Sequence, residues 1–334
     1  MRRWFELAAF AVGLAALALL CWQFGFSDLA AALRQLSPRY LVIYLGFGMA
    51  ARLGYAVRWR LVARTLGSAP ALPRFIAARL AGDATASLLP ALRIGGDPLR
   101  AGLVCGDGVS GAQAGAGVAI DRIIELISNM LCGAVYVTVF SLARAAGAGG
   151  AEHVLVATMG ALLVSVVVPL VLMRRGIRPL APLYRLPMGA RVGRWMSAVQ
   201  RTEAHVMRLF QDRPAIFVQG VVGSLAIEAL IICEYHFLME AFGLQLHLPT
   251  LLMTLVASGL SRVVPTPAGL GALEAGQVTV LGAATGHPDL GFVVGFVLRL
   301  HETLWTGVGL IGLSLCGVNL ARLRAALSVR RLSS

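Results

Sequence analysis

Residues 264–272 read Val264-Pro265-Thr266-Pro267-Ala268-Gly269-Leu270-Gly271-Ala272, and residues 89–97 read Leu89-Pro90-Ala91-Leu92-Arg93-Ile94-Gly95-Gly96-Asp97. In each, an apolar run meets a proline and then glycines. Proline removes a backbone donor and glycine frees the backbone, so a helix stops at both places. Each break is followed by a long apolar stretch carrying R-x-x-E, with Arg122 and Glu125 in the first and Arg299 and Glu302 in the second. The Pro90-to-Arg122 separation is 32 residues and the Pro265-to-Arg299 separation is 34. The spacing predicts an internal repeat, with one copy over about 40–141 and the other over about 214–318.

The surrounding chain sets the solvent of these breaks. Of 334 residues, 58% are hydrophobic and 13% charged, and the mean hydropathy is +0.78. A soluble domain carries about 25% charged residues, so the expectation is an all-α polytopic membrane bundle. A spanning helix needs about 20 apolar residues. Six stretches qualify, at about 4–24, 40–57, 113–141, 152–173, 214–240 and 289–318. The run Trp4–Phe24 after Met1-Arg2-Arg3 lacks a cleavage site and reads as a retained first helix. Two more stretches, about 72–92 and 248–285, hold the breaks.

Arginine placement decides how the broken stretches run. The basic residues are 29 arginines and no lysine. If both broken stretches are re-entrant hairpins and the N-terminus is inside, 21 arginines fall on cytoplasmic segments and 3 outside, and 5 lie within apolar runs. If 72–92 crossed instead, the nine arginines between Arg174 and Arg213 would face outward, against the positive-inside rule. The predicted fold is therefore six full spans plus two re-entrant helical hairpins in an inverted repeat, with both termini cytoplasmic. The connector over about 174–213 repeats Arg194, Arg201 and Arg208 every seven residues between apolar positions. It reads either as an amphipathic helix on the inner leaflet or as a solvated linker. It leaves little room for a soluble catalytic domain.

The arginines lie between apolar runs, which favours anionic lipid headgroups over nucleic acid as partners. Cys21, Cys105, Cys132, Cys233 and Cys316 stand apart and read as packing residues. The sequence holds no G-x-x-x-x-G-K-[ST], no H-E-x-x-H and no D-x-D pair. Asp107-Gly108 starts a phosphotransferase-like pattern that lacks its arginine. No cofactor and no metal are expected.

Charges inside apolar runs are costly, at least about 2.5–3.5 kcal/mol each at the bilayer centre. They should face the bundle interior and pair. Asp121, Arg122 and Glu125 share one helix face by their spacing. Arg122 is expected near the midplane, where a guanidinium grips phosphate. Arg93, Asp97 and Arg100 read as an inner gate, and Arg262, Glu274 and Arg299 as an outer one. Asp83, Gly95, Gly96, Pro265, Pro267, Gly269, Gly271 and Glu302 complete the predicted site. The half-helices starting near Asp97 and near Ala268 offer N-terminal ends suited to phosphate. Glu228, mid-span with no basic neighbour in sequence, is expected to be protonated, paired across helices or part of a proton relay. His236, His287 and His301 look isolated and suit packing or interface roles.

Two motifs carry a resemblance. Pro90 to Ala101 gives P-x-x-x-I-G-G-D-P-L-R-A, followed by Asp121-Arg122, and Pro265 to Glu274 gives P-T-P-A-G-L-G-x-x-E. Over roughly 40–315 the chain resembles the flippase-like transmembrane domain of lysylphosphatidylglycerol synthases and their free-standing relatives. In two-part members that domain moves aminoacylated phospholipid between leaflets and a cytosolic domain makes the lipid. The resemblance implies a lone lipid translocator of the bacterial inner membrane. Its cargo would be a phospholipid, a polyprenyl-phosphate or a terpenoid lipid. Two other functions fit the residues: an integral-membrane transferase on polyprenyl-linked lipid using Asp97 and Asp107, and a non-transporting partner of a separate lipid synthase. A homodimer is a further partnership this reading allows.

Overall fold

The computed structural model describes residues 36–67, 70–88, 95–106, 108–143, 211–262, 264 and 270–315, with position 34 and isolated positions between 157 and 208. The described residues are mostly helical, joined by turns, with one isolated bridge between Gly106 and Val109. Eight helices are continuous among the described residues: α1 Pro38–Thr65, α2 Leu72–Leu88, α3 Asp97–Val104, α4 Gly111–Ala143, α5 Pro214–Ala241, α6 Leu248–Ser261, α7 Ala272–Thr285 and α8 Pro288–Leu315.

Local chemistry sets the ends. Pro38 and Pro214 open α1 and α5 at positions whose N–H would lack a partner anyway. Ser110 and Gln113 form a reciprocal capping box at the start of α4, with N–H donors to side-chain oxygens at 2.9 and 3.2 Å. Gly271 adopts φ +77 to start α7. Gly286, at φ +76, ends it two residues before Pro288 begins α8.

Among the described residues three helices, α1, α4 and α5, are long and apolar enough to cross a membrane. Their outward faces are apolar. Val42, Met49, Leu53, Val57 and Leu61 line α1, and Val218, Val222 and Leu225 line α5, all exposed. Such stripes suit hydrocarbon rather than water. By contrast α6 and α7 have 14 residues each, or roughly 21 Å at 1.5 Å per residue, short of the ~30 Å hydrocarbon core. They pack on each other, as α2 does on α3. The spans expected at 4–24 and 152–173 lie wholly or largely outside the described residues. So does most of the connector.

The helices recur in register. Pro214 follows Pro38 by 176 residues, Leu248 follows Leu72 by 176, Ala272 follows Asp97 by 175 and Pro288 follows Gly111 by 177. The first member of each set, α1 and α5, run antiparallel against one another. Ser37 N–H donates to Ala241 O at 3.1 Å, Gly48 faces Glu234 and Gly54 faces Ile227. Further along, Arg58 Nη1 donates to Ser224 Oγ at 2.7 Å. As the number rises on α1 it falls on α5. Beyond this pair, α2 packs on α8 and α6 on α4. The α2–α8 contact is close enough that a Cβ at Gly309 would collide with the Leu80 carbonyl.

The apolar core has one large cluster joining α1 to α4–α8, including Tyr44, Tyr136, Leu238, Leu252, Leu273 and Leu298. Two smaller clusters lie around Ile120–Ile124 and around Trp59–Phe75. Arg58 corrects the expected boundary of the second span. α1 runs on to Thr65, and Arg58 is 3% exposed inside the bundle rather than in a cytoplasmic loop. Arg100 is likewise buried, at 1%. Each has carboxylate partners that offset the cost of burying it.

Candidate functional site

Asp121 on α4 is fully buried and accepts from three guanidiniums. Arg58 of α1 reaches it at 2.9 Å, Arg79 of α2 at 3.2 Å and Arg100 of α3 at 2.8 Å. One turn on, Glu125 takes Arg79 at 3.1 Å and Arg122 at 3.1 Å. Arg122 also reaches Asp97, at the start of α3, at 3.3 Å. Asp97 holds Arg100 at 3.2 Å and Asp83 holds Arg79 at 3.0 Å. The cluster contains four arginines and four carboxylates, so its formal charges cancel. Aromatic faces seat three of the arginines: Arg100 lies 4.4 Å from the Trp59 ring, and Arg79 and Arg58 lie 4.6 and 5.0 Å from that of Tyr55.

Glycine makes this geometry accessible. The turn before α3 presses on α2, and a Cβ at Gly96 would collide with the Gly82 carbonyl. Arg100 itself fills the space over Gly82. Gly95 lies in the same turn.

A second cluster sits at the equivalent place in the later helices. Glu274, in the first turn of α7, is fully buried and gripped by Arg299 of α8 at 2.9 and 3.2 Å through two nitrogens. Its carboxylate also accepts the Gly271 N–H at 3.0 Å. Arg299 reaches Glu302 at 3.2 Å, and Arg262 stands 3.8 Å from Glu302. This cluster too is balanced, two arginines against two glutamates. Three of its residues match three of the first by spacing. Asp97–Arg122 and Glu274–Arg299 are each 25 apart, and Arg122–Glu125 and Arg299–Glu302 each 3 apart.

The structure thus brings together Asp83, Asp97, Arg100, Asp121, Arg122 and Glu125 in one cluster and Arg262, Gly271, Glu274, Arg299 and Glu302 in another. Glu228 joins neither by an ion pair; it accepts the Tyr136 hydroxyl at 2.9 Å across α4 and α5. Arg93, Pro265, Pro267 and Gly269 lie outside the described residues. Two expectations change. The N-terminal ends of α3 and α7 carry the chain's own carboxylates, Asp97 and Glu274, at the positive end of each helix dipole. His301 is not isolated: its Nε2 lies 3.4 Å from Glu234 Oε1 and accepts from Trp305 Nε1. Sequence reasoning also left Arg58, Arg79 and Ser224 out of the site. They come from helices distant in sequence; Arg79, a charge inside the first broken stretch, was expected to face the interior and pair, and the odd pairing of Asp121 and Glu125 with a single nearby arginine signalled that more were needed.

The family model described as lysylphosphatidylglycerol synthase TM region matches residues 7–312. The chain belongs to this family. No curated protein matches the chain. Membership and the three long apolar helices make it a membrane protein with a role tied to membrane lipid. Both quoted motifs fall inside the matched range, so the buried clusters are part of the family region itself.

Proposed function

We propose that the chain is a lipid translocase of the bacterial inner membrane, moving an anionic or phosphate-bearing lipid between leaflets, and a transporter rather than an enzyme. The observation that carries this is the pair of matching clusters, Asp97–Arg122–Glu125 and Glu274–Arg299–Glu302, at equivalent places in two sets of helices. The antiparallel α1–α5 pair supports reading the sets as inverted halves, with α2–α3 and α6–α7 as hairpins entering from opposite faces. In that arrangement one cluster serves each leaflet.

The exposure of the arginines sorts their roles. Side chains of Arg58, Arg79 and Arg100 are exposed by 5% or less and act as fixed charge that holds the carboxylates. Arg122 is 21% exposed and Arg262 47%. These two can trade a carboxylate for a lipid phosphate without unpacking the bundle. The exchange replaces one charge-assisted contact with another. It spares the headgroup most of the several kcal/mol that an unpaired charge costs in hydrocarbon, while the tails stay in lipid. Asp97, one of the two residues a transferase would use, is tied to Arg100 and Arg122, which suits holding charge rather than bond chemistry; the other, Asp107, lies outside the described residues.

Reconstitution tests the reading. Vesicles carrying the protein and a fluorescent anionic phospholipid are exposed to an impermeant quencher. The expected result is loss of inner-leaflet fluorescence faster than in protein-free vesicles, slowed about tenfold by Arg122→Gln, the equivalent of ~1.4 kcal/mol. Lipid movement equal to that of empty vesicles would contradict it.

A further inference from the structure

One buried titratable pair belongs to neither cluster. Glu234 of α5 and His301 of α8 are exposed by only 5% and 8%. They meet where α8 touches the antiparallel pair, and Gly48 of α1 leaves the room: a Cβ there would sit 2.7 Å from Glu234 Oε1 and 3.0 Å from His301 Nε2.

The hydrogen count at this point does not close. His301 Nε2 accepts the Trp305 indole N–H, so that nitrogen is bare. Glu234 Oε1 faces the same nitrogen at 3.4 Å. A carboxylate oxygen and a bare imidazole nitrogen present lone pair to lone pair. A proton between them turns this into a hydrogen bond, but the nitrogen then no longer accepts from Trp305. The proton and the indole N–H therefore compete for one atom. Tyr44, whose ring lies 4.6 Å from the imidazole, has a buried hydroxyl with no hydrogen-bond partner among the described residues, so a spare polar group is already at hand.

We infer that His301 and Glu234 form a single-proton site in which proton binding at His301 Nε2 releases Trp305. The proton comes from and returns to water, and no other bond is made or broken. The charged and titratable neighbours are Tyr44 and Arg52 of α1, Tyr235 of α5, Arg262 at the end of α6 and Glu302 of α8. Arg52 lies 4.2 Å from the Trp305 ring, so the released indole stays beside a cation. His301 stands between Arg299 and Glu302 in sequence, so a shift of α8 at His301 is transmitted to the Arg299–Glu274 pair. Its use in driving lipid movement rests on the translocase reading, whereas the proton site itself does not.

The full chain in phospholipid nanodiscs gives a direct readout, because an imidazolium quenches an adjacent indole. Trp305 is one of five tryptophans, so protonation should remove roughly a fifth of the emission in one step as the pH is lowered from neutral into the acid range. The step should vanish in His301→Gln, which keeps an acceptor for Trp305 without a titrating ring, and in Trp305→Phe. It should move along the pH axis in Glu234→Gln. A flat wild-type profile, a step that survives His301→Gln, or a step unmoved by Glu234→Gln would overturn the site. Lipid movement assayed on the same preparations separates the readings. Movement without a step removes the proton site alone, and a step without movement removes the translocase alone.

Discussion

Asp121 carries the heaviest duty of any single side chain here. Three guanidiniums converge on a carboxylate with no exposure to solvent. Removing one partner of a buried ion pair costs about 3–5 kcal/mol, because the other is left charged and unpaired. Asp121→Asn should therefore lower thermal stability by about that amount in a detergent melt. Arg122→Gln, at a half-open edge, should cost under about 1.5 kcal/mol while slowing lipid movement. Equal losses for the two would erase the distinction between holding charges and working ones. At this scale the sequence was half legible. Asp121, Arg122 and Glu125 stood out because charges in an apolar run must pair. Arg58 did not, because hydropathy placed it just past the end of a span, and the ion pair that draws it inside comes from a helix 63 residues away.

Elements show the same division between what periodicity reveals and what packing decides. The breaks after Leu88 and Ser261 were readable from Pro and Gly, since those residues stop helices whatever surrounds them. The exchange of partners, α2 against α8 and α6 against α4, was not readable, since apolar faces do not name their mates. Two glycines on α8 test that exchange. At Gly307 a Cβ meets nothing within 4 Å, whereas at Gly309 it collides with the Leu80 carbonyl. Gly307→Ala should be neutral or stabilise by up to about 1 kcal/mol through helix propensity. Gly309→Ala should push α8 from α2, lowering the melting temperature and slowing lipid movement. If both alanines behave alike in the melt, the α2–α8 contact is misplaced.

At the scale of the molecule, the repeat legible at two motifs extends to four helices per half, all offset by 175–177 residues. The halves meet along α1 and α5 as antiparallel partners, and the charged clusters follow the same offset. In the proposed function this inversion gives one cluster to each leaflet, and that reading stands on it. Side-specific labelling of single cysteines, in a chain whose five native cysteines have been replaced, tests it most directly. Ser110 precedes α4 in the first half and His287 precedes α8 in the second, and both are exposed. With an impermeant thiol reagent on right-side-out vesicles, His287→Cys should label at once and Ser110→Cys only after the membrane is permeabilised. Labelling of both from the same face would mean that the halves run in parallel, and the account would fail.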